Sequence, residues 1–276
     1  MWSEAPRAAA TSLLWKASNG RGTIYIAGSI HMLTAEYYPL NPALTAAFED
    51  SDLLMEEIDF NAAQMTDAQI LMLMRGMLPA PQTLDKVISP ATFEMVSKRV
   101  AQLGLPIEPL KRFKPWSLAL TLLGMEWQGA GFDPDLGLDK HFYDLAQMRR
   151  MAFQALETVE YQISRFDELS MPEQDRLLAS TLKELDTQKA AVTQLMQAWK
   201  AGDVATIERI VLQDVKDEPQ IYQRLLVERN QMWLPKIEAL FARPGRAFVV
   251  VGAAHLVGPD GLLTLLRAKG YTLEQL

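Results

Sequence analysis

The chain contains no cysteine, and only three histidines in 276 residues. Without cysteine there is no disulfide, no zinc–thiolate site, no iron–sulfur cluster and no thiol nucleophile. No run approaches the roughly 18 apolar residues that a membrane-spanning helix needs. Basic residues are outnumbered, 27 Lys and Arg against 34 Asp and Glu, for a net charge of −7. No basic patch is interleaved with aromatics, so nucleic acid is not expected as a partner, and an anionic membrane surface is disfavoured. No Walker loop, G-x-G-x-x-G or H-E-x-x-H occurs, and no G-x-S-x-G elbow surrounds Ser29. The opening Met1-Trp2-Ser3-Glu4-Ala5-Pro6-Arg7 lacks a cationic segment followed by an apolar one. Either the protein is cytoplasmic or an export signal has been removed.

Hydrophobic residues make up 49% of the chain, enough for a sizeable core. Strand patterns occupy 13–18 and 22–29, on either side of the hairpin signal Asn19-Gly20, and then 53–59, 151–156, 247–251 and 271–273. Helical patterns cover 42–49, 62–77, 115–128, 139–148, 219–242 and 259–269. Another follows Ser89-Pro90 to about 104, and one runs over 170–200 from the capping box Ser170-Met171-Pro172-Glu173. Asp203 caps the next helix. This layout predicts a single α/β domain over 1–276. A mixed central sheet is assembled from N- and C-terminal strands around a large helical middle, with 160–243 as a helical insert or flank.

Two of the three histidines end the same phrase. Thr23-Ile24-Tyr25-Ile26-Ala27 leads into Gly28-Ser29-Ile30-His31, and Ala247-Phe248-Val249-Val250-Val251 leads into Gly252-Ala253-Ala254-His255. A buried strand holds its end rigidly, glycine permits a close-packed exit, and the following side chains reach the carboxyl edge where open α/β sheets bind ligands. Histidine there is a natural general base or metal ligand. His141, amid polar helical neighbours, reads as a structural residue.

Glu56 and Glu57 also end an apolar strand, and alternation sends the two to opposite faces. One of them can complete a two-histidine, one-carboxylate set that holds a divalent ion with positions left for water and substrate. Without an ion, the same groups can serve as general base and orienting carboxylate. On the helix 219–242, Tyr222, Leu226, Arg229 and Trp233 share a stripe. A buried arginine there needs a partner, either a structural acid or an anionic substrate group. Asp139 and Glu157 are acids near element ends that carry little meaning alone. The methionines Met65, Met72, Met74 and Met77 suit packing better than a copper site.

Taken in order, several blocks resemble the TraB/GumN family, which includes the Tiki proteins. They are Leu14-Trp15-Lys16, Ile24 to His31, Phe48 to Asp52, Met55 to Asp59, Gly137-Leu138-Asp139, Leu156 to Gln162, Glu228 to Trp233, and Phe248 to Leu263. The GumN branch is most similar. The resemblance implies the fold of the erythromycin-esterase and ChaN-like group. It also implies a metal-dependent hydrolase, acting on a peptide or protein substrate as Tiki members do. His31, Glu57 and His255 would hold the ion (manganese, cobalt or zinc), with Arg229 and Asn230 supporting the oxyanion or a substrate carboxylate. Where the family shows one glutamate before the hydrophobic-Asp pair, this chain has two, and Glu57 aligns because it precedes Ile58-Asp59. The alternatives are a non-catalytic peptide- or glycan-binding envelope protein using the same cleft, and a metal-free esterase with a histidine base. Family habit points to the periplasm or cell envelope.

Overall fold

Six strands form one mixed sheet in a computed structural model, which describes residues 11–276 apart from 188, 216 and 217. They are β1 (Leu14–Ser18), β2 (Thr23–Ser29), β3 (Leu53–Glu56), β4 (Ala152–Ala155), β5 (Ala247–Gly252) and β6 (Thr272–Gln275). Their order across the sheet is β4-β3-β5-β2-β1-β6. β4, β3, β5 and β2 run parallel, and β1 lies antiparallel to both β2 and β6. The expected α/β architecture is therefore present, with N- and C-terminal strands interleaved at its centre. The reading of Met1–Arg7 lies outside the described residues.

Local chemistry accounts for the elements. Asn19 Oδ1 accepts the backbone N–H groups of Arg21 and Gly22, each at 3.0 Å, and closes the β1–β2 hairpin. β5 reads Ala-Phe-Val-Val-Val-Gly and is buried throughout, as a parallel strand covered on both faces must be. Ser89 Oγ caps the helix Pro90–Gln102 by accepting from Thr92 N at 3.1 Å. The capping box closes through Ser170 N, which donates to Glu173 Oε2 at 2.7 Å.

The expected helix over 170–200 is helical over Met171–Thr187 and Lys189–Ala201, on either side of a residue outside the described ones. The helix Val159–Asp167 opens the expected helical stretch 160–243. Thr158 caps it, accepting from Tyr161 N at 3.1 Å. The helix expected over 219–242 is continuous but not uniform. A π-helical turn, Gln223–Val227, separates Pro219–Tyr222 from Glu228–Ala239, and a 3₁₀ turn, Leu240–Ala242, ends it. Such turns re-aim the side chains beyond them.

The main core lies on the sheet. Phe48, Phe142 and Phe248 interlock there, with ring centroids 4.7–5.7 Å apart. A second core joins Leu84, Val96, Leu118 and Leu122 to Leu178 and Leu182. Residues 160–243 contribute to both: Leu182 belongs to the second core, whereas Trp199, Ile207, Trp233 and Ile237 pack into the first. Among the described residues no helix is long and apolar enough to cross a membrane.

Gly28, in the first strand-histidine phrase, is a packing glycine. A Cβ there would stand 2.3 Å from Leu13 Cδ2 and 3.0 Å from Leu256 Cδ1. Gly28→Ala is expected to cost about 1–3 kcal/mol by overpacking. Urea denaturation should show a lower midpoint with an unchanged slope.

Candidate active site at the carboxyl edge of the sheet

Each of the four parallel strands is followed closely by a chemically active side chain: His31 after β2, Glu57 after β3, Glu157 after β4 and His255 after β5. Strand register brings them together. The β3–β4 pairing continues past the strands, with Leu156 N donating to Glu56 O at 2.7 Å and Glu157 N to Glu57 O at 2.9 Å. At the end of β5, Gly252 N donates to Glu57 Oε1 at 2.7 Å. Of these groups, His31 and Glu57 border a cleft of about 910 Å³, whose walls also include Met65, Gln69, Lys140 and Tyr143.

His31 is held by Asp139. Leu138 N donates to Ile30 O at 3.1 Å, which sets the first turn of the helix Leu138–Arg149 beside the histidine. Asp139 Oδ2 then lies 2.5 Å from His31 Nδ1. Ser29 Oγ is 3.4 Å from the same nitrogen. Serine and acid thus share Nδ1, whereas a nucleophile relay places them on opposite ring nitrogens. The His31 side chain is 60% exposed. Desolvation lowers its basicity, but Asp139, by charge and hydrogen bond, and then Glu57 outweigh it and hold the imidazole at about 9.

Glu57 is buried and ionised. Its Oε2 accepts from Arg229 Nη2 at 2.6 Å and from Gln162 Nε2 at 3.2 Å. Burial would raise its pKa; His255, Arg229, His31 and the Gly252 N–H outweigh that and lower it to about 2. Glu56 has the opposite fate. It is fully buried, and neither carboxyl oxygen has a partner among the described residues. Burial, then the nearby Asp139 and Glu57, push its pKa well above the ordinary carboxylate range. Of the two, Glu57 lines the cleft and Glu56 does not.

Arg229 gathers the remaining groups. Its Nε and Nη2 reach Glu157 at 2.7–3.1 Å, and Nη2 also reaches Glu57. Nη1 donates to Leu225 O at 3.1 Å and to His255 Nε2 at 3.0 Å. Leu225 belongs to the π-helical turn. Trp233 lies beneath the guanidinium at 4.6 Å and donates Nε1–H to Glu157 Oε2 at 3.0 Å. Burial outweighs Arg229 at Glu157 and leaves its pKa raised. Asn230 is equally committed: Nδ2 donates to His255 O and Asp260 O, and Oδ1 contacts His255 Nδ1 at 2.7 Å.

The comparisons with known proteins bear on this arrangement. The model of the TraB/PrgY/gumN family matches residues 13–275. The chain belongs to that family. Among its relatives, the Escherichia coli (strain K12) protein YbaP is 27% identical over 249 residues, covering 90% of this chain and 89% of its own. The Shigella flexneri YbaP is 27% identical over 244 residues, covering 88% and 87%. An uncharacterized protein of Treponema pallidum (strain Nichols) is 20% identical over 273 residues, covering 93% and 80%. No solved structure matches.

The ion that the resemblance to Tiki proteins implies within the TraB/PrgY/gumN family meets a mixed donor set. A Cβ at Gly252 would lie 3.3 Å from both Glu57 Oε1 and His31 Nε2, so both atoms approach the position that the missing side chain leaves vacant. Asp139 orients His31 as second-sphere acids orient metal-binding histidines, although the Nε2 proton must leave before an ion binds. His255 approaches that space with its Cδ2 edge, at 3.6 Å. Its Nε2 already serves Arg229. Among the described residues, no group of three or more His, Asp or Glu is arranged to hold an ion. His31 Nε2 and Glu57 Oε1 face that position, whereas the Nε2 of His255 is turned to Arg229.

Arg229 and Asn230 lie at the site but have no free donor to offer an oxyanion or a substrate carboxylate, so they act as positioning residues. Glu157, Asp139 and Trp233 were not chosen from sequence as site residues. Their signal was positional: Glu157 follows a strand as Glu57 does, and Trp233 lies one helical turn from Arg229. His141 lies outside the site, against the ring of Tyr38 at 5.1 Å. Met65 lines the cleft, while Met74 is on the outer surface.

Two outcomes follow. Arg229→Met leaves Glu57 and Glu157 buried without their cation and is expected to cost about 3–5 kcal/mol, read by urea denaturation. Because the His31 pKa is raised on folding, its contribution to stability is fully present below about 6.5 and is lost as pH rises through about 9. That alkaline loss should shrink in Asp139→Asn, whose His31 should titrate well below 9 by NMR.

Proposed function

We propose that this TraB/PrgY/gumN protein is a hydrolase of peptide or amide bonds that uses a divalent ion at the carboxyl edge of its sheet. The observation that carries the reading is the approach of His31 Nε2 and Glu57 Oε1 to one space beside Gly252, at the wall of the large cleft. His31 and Glu57 are the residues that would hold the ion. Such an ion supplies a more acidic water and a polarised substrate carbonyl.

The chain's own groups do the rest. Asp139 fixes the His31 ring so that Nε2 is directed at the open space. Arg229, Gln162 and Gly252 N keep Glu57 ionised and immobile, so its position costs little reorganisation during reaction. Gly252 leaves the space unfilled. The cleft is within the range of small-molecule and short-peptide sites. The resemblance carries the location with it, the periplasm or cell envelope.

The test is metal analysis of protein purified without chelators, followed by a peptide-library cleavage assay with manganese, cobalt or zinc. Bound ion with cleavage is the expected result, and His31→Ala should lose both while staying folded. Full metal stoichiometry in that variant would overturn the assignment. Peptide or glycan retention without cleavage would identify a binding protein instead. Cleavage that survives strong chelators would identify a metal-free esterase-like site.

A further inference from the structure

The geometry points to Arg229 as the resident cation of the second histidine phrase: His255 serves it as a hydrogen-bond acceptor, and is a positioning residue for Glu57 and not an ion ligand. An arginine cannot accept a hydrogen bond. At 3.0 Å from Arg229 Nη1, His255 Nε2 must therefore present its lone pair. The proton is then on Nδ1, donated to Asn230 Oδ1 at 2.7 Å. Asn230 cannot turn over, because its Nδ2 donates to two backbone carbonyls at 2.9 and 3.2 Å. The imidazole is thus locked as one neutral tautomer, with the Trp233 ring 4.3 Å away.

The guanidinium is equally fixed. Its N–H groups are distributed among Glu57, Glu157, Leu225 O and His255, and it is 9% exposed. Water cannot replace a missing acceptor easily in so closed a place, so His255 is the group that satisfies the last N–H. Removing its lone pair would loosen Nη1 and, through the rigid fork, the Nη2 contact with Glu57. The second Gly-x-x-His phrase therefore acts on the site through Arg229, while the first faces the cleft directly.

The proposal rests on the hydrolase reading only where it concerns an ion. Its test is NMR of protein labelled with ¹⁵N-histidine, in which three imidazoles are to be assigned. In metal-free protein at neutral pH, His255 should show a protonated Nδ1 and an unprotonated Nε2. Zinc should shift the His31 Nε2 signal and leave both His255 nitrogens unmoved. An Nε2–H tautomer for His255, or a zinc-ligated shift of its Nε2, would overturn the inference. Zinc that moves no imidazole would sink the ion reading, and the metal-free tautomer still decides this one. In Arg229→Met, checked as folded by circular dichroism, the fixed tautomer should be lost and zinc should now shift His255. If that variant does not fold, the wild-type spectra carry the test alone.

Discussion

A guanidinium charge buried behind the sheet edge is the constraint around which the site is organised. Taking that charge out of water is costly unless every N–H is matched and a counter-charge lies nearby. Arg229 meets both needs with Glu57 and Glu157, one from each of two neighbouring parallel strands. The same need explains details that look unrelated. It accounts for a π-helical turn that offers the Leu225 carbonyl, a histidine fixed as an acceptor, and a tryptophan that both underlies the cation and steadies Glu157.

Two adjacent glutamates show how completely position overrides residue type. Glu56 and Glu57 have the same side chain and the same strand end. Alternation turns one toward Arg229 and Gly252 N and the other toward the helix that carries Asp139 and Asp144. The first is a firmly held anion; the second is buried, its pKa raised, and its carboxyl oxygens have no hydrogen-bond partner among the described residues. An unsatisfied buried carboxyl costs stability.

The two glycines of the repeated phrase divide in the same way. Gly28 is needed because Leu13 and Leu256 crowd it, whereas the space in front of Gly252 is bordered by Glu57, His31 and His255. A shared motif therefore conceals one packing position and one site position. The division continues at the histidines, since His31 stands at the rim of the cleft and His255 lies buried against Trp233.

Strand ends, the hairpin at Asn19-Gly20, the caps at Ser89 and Ser170, and the placing of both Gly-x-x-His phrases at strand ends were legible in the residues, because local hydrogen bonding and apolar periodicity act over a few positions. So was the idea that Arg229 needed an acid. Which acid was not legible. Glu157 is 72 residues from Arg229 in the chain, and Asp139 is 108 from His31. Their pairings come from the strand order β4-β3-β5-β2 and from helices packed across it. By itself the sequence determined an α/β chain with chemistry at its strand ends, since those properties are written in short-range patterns. Only the tertiary structure decided which imidazole faces the cleft and which serves a buried cation, because ring orientation and protonation are set by partners that folding brings from far along the chain.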